Sequence, residues 1–114
     1  MSSNAEAVPN EPIQLTDASG LDDAVSSYDV VLVDFYADWC GPCRMMEPTI
    51  ESIASDTDAA VVKVDVDQLQ GLASQYGVQG IPTLLLFADG ENVEQLVGVQ
   101  SADQLSNLIG RYAA

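Results

Sequence analysis

Residues 30–43 read VVLVDFYADWCGPC. The first eight, VVLVDFYA, are apolar apart from Asp34 and show no alternation of polar and apolar positions. Such a run fits a strand covered on both faces, the kind found in the middle of a sheet packed between helices. The next residues break that pattern: Cys40 and Cys43, the only two cysteines of the chain, enclose Gly41 and Pro42. Proline suits an early helical position, where its missing N–H would have no partner anyway. The cysteine pair is therefore expected where a buried strand ends and a helix begins. Cys40 would lie beside the unpaired N–H groups of the first turn, whose dipoles favour thiolate over thiol. A thiol so biased is a nucleophile at neutral pH, and the second cysteine is close enough to close a ring with it.

Working outward, IQLT (residues 13–16) is a short strand candidate, and Leu21, Val25 and Tyr28 form one stripe of an amphipathic helix. Beyond the cysteines, Met46, Ile50, Ile53 and Ala54 mark a second helical face, which Pro48 is expected to kink. AAVVKVDV (59–66) reads as a strand, and Leu69, Leu72, Ala73 and Tyr76 as a third helix. PTLLLF (82–87) and VEQLVGV (93–99) read as two strands joined around Asp89 and Gly90, a hairpin signal. Leu105, Leu108, Ile109 and Tyr112 close the chain with a fourth helix. This order predicts an α/β fold: a central mixed sheet of about five strands, its last two an antiparallel hairpin, flanked by four helices. Residues 1–12, MSSNAEAVPNEP, carry two prolines and no periodicity and are expected to be a disordered N-terminal extension to a single domain over 13–114.

Composition narrows the chemistry. A chain of 114 residues, 47% hydrophobic, is long enough to bury one core without metals or several disulfides. No apolar run approaches the ~18 residues of a membrane span, and the N-terminal stretch lacks the basic start and apolar run of an export signal. A soluble, monomeric, cytoplasmic protein is the expectation, and in that compartment thiols are kept reduced, which argues against a purely structural disulfide. A zinc site needs about four N or S ligands, whereas this chain has two cysteines and no histidine, so only a site shared between two chains would remain. The formal net charge of −15, from 18 acidic and 3 basic side chains, argues against nucleic acid and anionic membranes as partners. Like charges at that density are tolerated where molar salt shrinks the Debye length to ~3 Å, so an extremely halophilic source is expected, with an ordinary acidic protein as the alternative.

VDFYADWCGPC (33–43), GVQGIPTLLLF (77–87) and LVGV (96–99) together resemble the thioredoxin family, from Ile13 to the end of the chain. The resemblance implies a thiol–disulfide oxidoreductase that reduces disulfides in other proteins, with Cys40 attacking and Cys43 resolving through a reversible disulfide. Strand alternation makes Asp34 a buried carboxylate, which is either a structural group satisfied by backbone donors or a proton acceptor. The family pattern implies the second role, in service of Cys43. Lys63, the only lysine, sits in mid-strand, and an internal partner is expected for it, with Asp34 the first choice and a snorkelling side chain the alternative. The family pattern also brings a lysine at this position towards the buried aspartate. It further implies a cis Ile81–Pro82 bond, an Ile81 backbone free to pair with an extended substrate, and an apolar rim made by Trp39, Gly41, Pro42, Ile81, Gly98 and Val99. Pro82 would then lie against the cysteines. Arg44 stands where the family commonly has lysine, and Tyr36 where many members have a second tryptophan. No flavin or nicotinamide motif is present, so no bound cofactor is expected and a separate reductase, thioredoxin reductase or its equivalent, would restore the dithiol. Two rival readings use the same scaffold: an oxidase or isomerase, and a non-enzymatic binding subunit.

Overall fold

The run of apolar residues at 30–36 becomes the central strand. In the computed structural model, which describes residues 7–113, this strand β2 (Val30–Tyr36) is buried at every position. It lies between β3 (Ala60–Asp65), which runs parallel to it, and β4 (Thr83–Ala88), which runs antiparallel. β1 (Ile13–Gln14) adds to β3 in parallel and β5 (Glu91–Val97) to β4 in antiparallel, giving a five-stranded mixed sheet in the order β1-β3-β2-β4-β5. The hairpin between β4 and β5 turns through Asp89 (φ 51°) and Gly90 (φ 87°). Two successive positive φ angles match the right-handed strand twist, and glycine adopts one of them without a steric cost.

Helices cover both faces, as the unbroken apolar strands require. On one face α1 (Ser19–Ser27) and α4 (Gln70–Gln75) seat Leu21, Ala24, Leu72 and Ala73 against Val31, Val33 and Phe35. On the other, Ile50, Ile53, Leu105 and Ile109 pack on Leu32, Val61, Leu84 and Leu86. Truncating one such side chain, Ile50→Ala for example, costs about 2–5 kcal/mol. The final helix α5 (Ala102–Tyr112) starts in a reciprocal cap: Ser101 Oγ accepts the Gln104 N–H at 3.1 Å, and Gln104 Oε1 accepts the Ser101 N–H at 3.0 Å.

The helix after the cysteines breaks two residues before the expected proline. α2 (Gly41–Met45) and α3 (Glu47–Asp56) are two halves of one kinked helix, joined at Met46. Met46 keeps near-helical angles, its N–H reaching the Pro42 carbonyl at 3.2 Å and its own carbonyl accepting the Ile50 N–H at 2.8 Å. Pro48 has no N–H for the Arg44 carbonyl, and its ring crowds that carbonyl, so the distortion appears one half-turn upstream of the ring. Counted this way, four helices flank the sheet. Residues 1–6 of the expected N-terminal extension lie outside the described residues, and 7–12 carry neither helix nor strand. Asn10, Glu11 and Pro12 line a shallow surface pocket together with Pro48, Glu51, Ser52 and Ser55 of α3.

Candidate active site

β2 ends at Tyr36, and a four-residue turn delivers Cys40 to the start of α2. Cys40 takes extended angles (φ −87°, ψ 113°) as the N-cap residue, and its sulfur accepts the Cys43 N–H at 3.2 Å. Pro42 occupies the first turn, where no donor is missed. Cys40 and Cys43 are joined as a disulfide with their Cα atoms 5.3 Å apart. Exposure does not separate the two cysteines, since Cys40 is 4% and Cys43 3% accessible. Their surroundings do: Cys40 caps the helix and lies 3.9 Å from the Ile81 carbonyl oxygen, while Cys43 is set one turn inward.

The Ile81–Pro82 bond is cis, and the Gly98 N–H donates to the Pro82 carbonyl at 2.8 Å. That bond ties the start of β4 to the end of β5 and brings Gly98 and Val99 beside Pro82. Gly98 has a φ of 91°, which a side chain would strain. Around the disulfide, Trp39 and Val99 are exposed, Gly41 and Pro42 are open to solvent, and Ile81 is half-buried. Met45 and Val97, which the sequence reading did not single out, are also large exposed apolar side chains, and apolar exposure of this kind marks contact surfaces. The Trp39 indole N–H donates to Asp67 Oδ2 at 2.8 Å, fixing the ring from the β3–α4 turn.

Asp34 is 3% accessible, and its Oδ1 is the one buried side-chain polar atom without a partner among the described residues. Burial pushes its pKa from 3.8 up to about 6; Lys63 pulls against this, and Glu47 adds to it. Lys63 and Asp34 are register partners on adjacent strands. The internal pairing expected for Lys63 is nevertheless not with Asp34: its Nζ stands 4.0 Å from Glu47 Oε2 and 4.5 Å from the centre of the Tyr36 ring. The four-carbon stem carries the ammonium past Asp34 towards Glu47, whose exposed carboxylate costs less to ionise beside it than a dry one. Lys63 therefore acts on Asp34 through its field. Tyr36 is itself held by its hydroxyl, which donates to Gln14 Oε1 at 3.1 Å. Glu47 was missed from sequence, although its i+4 spacing from Cys43 places both on one helical face. A pocket lined by Tyr36, Asp38, Cys43, Arg44 and Glu47 opens beside the inner cysteine.

The thioredoxin family model matches residues 11–111. That span is most of the chain, and it contains the disulfide, the cis-proline turn and the buried aspartate. This chain belongs to the thioredoxin family. Among relatives, the thioredoxin of Chlamydia trachomatis is 41% identical over 101 residues, covering 88% of this chain and 98% of the relative. The thioredoxin of Mycobacterium bovis is 49% identical over 90 residues, 77% of this chain and 78% of the relative. A solved structure of a single-substitution thioredoxin variant from Halobacterium salinarum superposes with a TM-score of 0.92 at 57% identity, covering 96% of this chain and 97% of that one. With family membership and a cysteine pair at bonding distance, the chain is a thiol–disulfide oxidoreductase whose redox group is Cys40–Cys43. Membership in the thioredoxin family also implies disulfide-containing substrates and a reductase as partners. No helix among the described residues is long and apolar enough to cross a membrane.

Proposed function

We propose that Cys40 is the attacking thiolate of a cytoplasmic protein-disulfide reductase, that Cys43 resolves the intermediate, and that Asp34 takes up the Cys43 proton. In the reduced protein the Cys40 sulfur attacks one sulfur of a substrate disulfide; the other leaves as a thiolate, and a mixed disulfide forms. Cys43 then gives its proton to Asp34, through a bridging water, and attacks the Cys40 sulfur. The substrate leaves as its second thiol, and two electrons have passed from the Cys40–Cys43 dithiol to the substrate. A separate reductase returns them.

The observation that carries this assignment is the Cys43 N–H on the Cys40 sulfur, which stabilises charge on Cys40 and not on its neighbour. Asp34 supports the second step because an aspartate whose pKa burial lifts to about 6 is matched to taking and returning a proton. Trp39, Gly41, Pro42, Ile81, Gly98 and Val99, extended by Met45 and Val97, are the surface on which an unfolded or extended substrate segment would lie. Alkylation of the reduced protein at neutral pH, with the modified cysteine mapped by mass spectrometry, tests the assignment: Cys40 is labelled first. Labelling of Cys43 first overturns it.

The net charge of −15 and the likeness to a Halobacterium protein support adaptation of this protein to molar salt. Its melting temperature rises from low to multimolar KCl, and a flat profile removes this reading.

A further inference from the structure

Asp34 and Lys63 face each other across β2 and β3 in register, an arrangement that would ordinarily close into an ion pair. Yet among the described residues Asp34 Oδ1 has no hydrogen-bond partner, and the Lys63 ammonium lies against Glu47 and Tyr36 instead. Two groups account for its direction. Glu47 Oε2 stands 4.0 Å from Nζ, and the Tyr36 ring, braced by Gln14, lies under it at 4.5 Å. Glu47 opens α3, one helical turn from Cys43, and shares the pocket beside the inner cysteine with Tyr36, Asp38 and Arg44.

We propose that Glu47 is a positioning residue for the resolving step: its carboxylate draws the Lys63 ammonium towards α3 and so keeps the lysine from neutralising Asp34. The role rests on the reading of Asp34 as proton acceptor for Cys43. A lysine in full contact would leave Asp34 permanently ionised and a weak base. A lysine held at a distance leaves it able to bind and release a proton. The groups that act on Asp34 are Lys63 from β3, Glu47 from α3 and Tyr36 from its own strand, with apolar Leu84 as its register partner on β4 and Cys43 lining the pocket that Tyr36 and Glu47 share. Of these, Glu47 and Lys63 are the charged pair, and both consequences of removing Glu47, the lost negative charge and the freed lysine, move Asp34 in one direction.

The test compares wild type, Glu47→Gln and Glu47→Asp in two measurements. One is the titration of the Asp34 carboxyl carbon by NMR in the reduced protein. The other is the pH profile for release of an aromatic thiol from a mixed disulfide preformed on Cys40. In Glu47→Gln the Asp34 midpoint should move from about 6 towards 3.8, the acid limb of the rate should follow it, and the rate above that limb should fall about fivefold. Glu47→Asp should restore both. An Asp34 midpoint unchanged in Glu47→Gln overturns the proposal. A shifted midpoint with an unmoved rate profile, together with normal resolution in Asp34→Asn, upholds the hold of Glu47 on Asp34 and instead overturns Asp34 as the proton acceptor.

Discussion

Two aspartates are buried on neighbouring strands, Asp34 in the middle of β2 at 3% accessibility and Asp65 at the end of β3 at 5%. Asp65 Oδ1 accepts the Asp67 N–H at 2.9 Å, and its backbone carbonyl accepts the Leu69 N–H at 2.9 Å, so this residue braces the turn that carries the chain from β3 to α4. Asp34 has an oxygen with no partner and a leucine opposite it on β4. Burial is nearly equal in the two places, but the supply of donors is not. A buried carboxylate that accepts a backbone donor ties a turn in place, whereas one with an oxygen left without a donor is pushed by burial to hold its proton and can exchange it.

Either aspartate can matter to catalysis only through the thiols, and the largest expected effect lies at Cys40. Cys40→Ser should reduce insulin-disulfide reduction to the uncatalysed background; retained turnover would move the nucleophile elsewhere. Next, Asp34→Asn should slow resolution of the mixed disulfide by about 10²- to 10⁴-fold, the usual contribution of a placed proton acceptor, while Asp65→Asn leaves that rate near wild type. Equal losses in the two variants would erase the distinction between them.

Stability sharpens the same contrast, because Asp34→Asn and Asp65→Ala should move it in opposite directions. The folded chain holds the Asp34 proton more tightly than the unfolded chain does. The stability this group confers is therefore fully present below pH 3.8 and is lost as pH rises through about 6. Above that window the ionised carboxylate costs about 3 kcal/mol, so Asp34→Asn should raise stability in denaturant melts by up to about that amount at pH 8 and leave it unchanged at pH 3. Asp65→Ala should lower stability by about 1 kcal/mol through the orphaned Asp67 N–H. A gain at both positions would mean that the donors on Asp65 do not hold it in place. The smallest effect lies at the rim: Asp67→Ala frees the indole of Trp39, the sole tryptophan, and should change its fluorescence at a stability cost below about 1 kcal/mol.

Much of this was legible beforehand. The continuous apolar run of β2, the helical stripes and the Asp89–Gly90 turn state their own structure because burial and backbone conformation act residue by residue. The strand-to-helix position of Cys40 followed from Gly41 and Pro42 for the same reason. The pairing of Lys63 was not legible, since it depends on where a long stem ends relative to helix α3, and residues 47 and 63 become neighbours only when the helix docks on the sheet. Nor was the position of the kink, which the proline ring imposes on the turn before it.

The amino-acid order alone determined a buried central strand, a cysteine pair opening a helix and a surface dominated by carboxylates, all consequences of local pattern and composition. Only the assembled sheet decided which of two buried aspartates was left without donors and which carboxylate claimed the single lysine. Those outcomes depend on through-space distances of a few ångströms between segments far apart in the chain, over which desolvation and Coulomb energies change steeply.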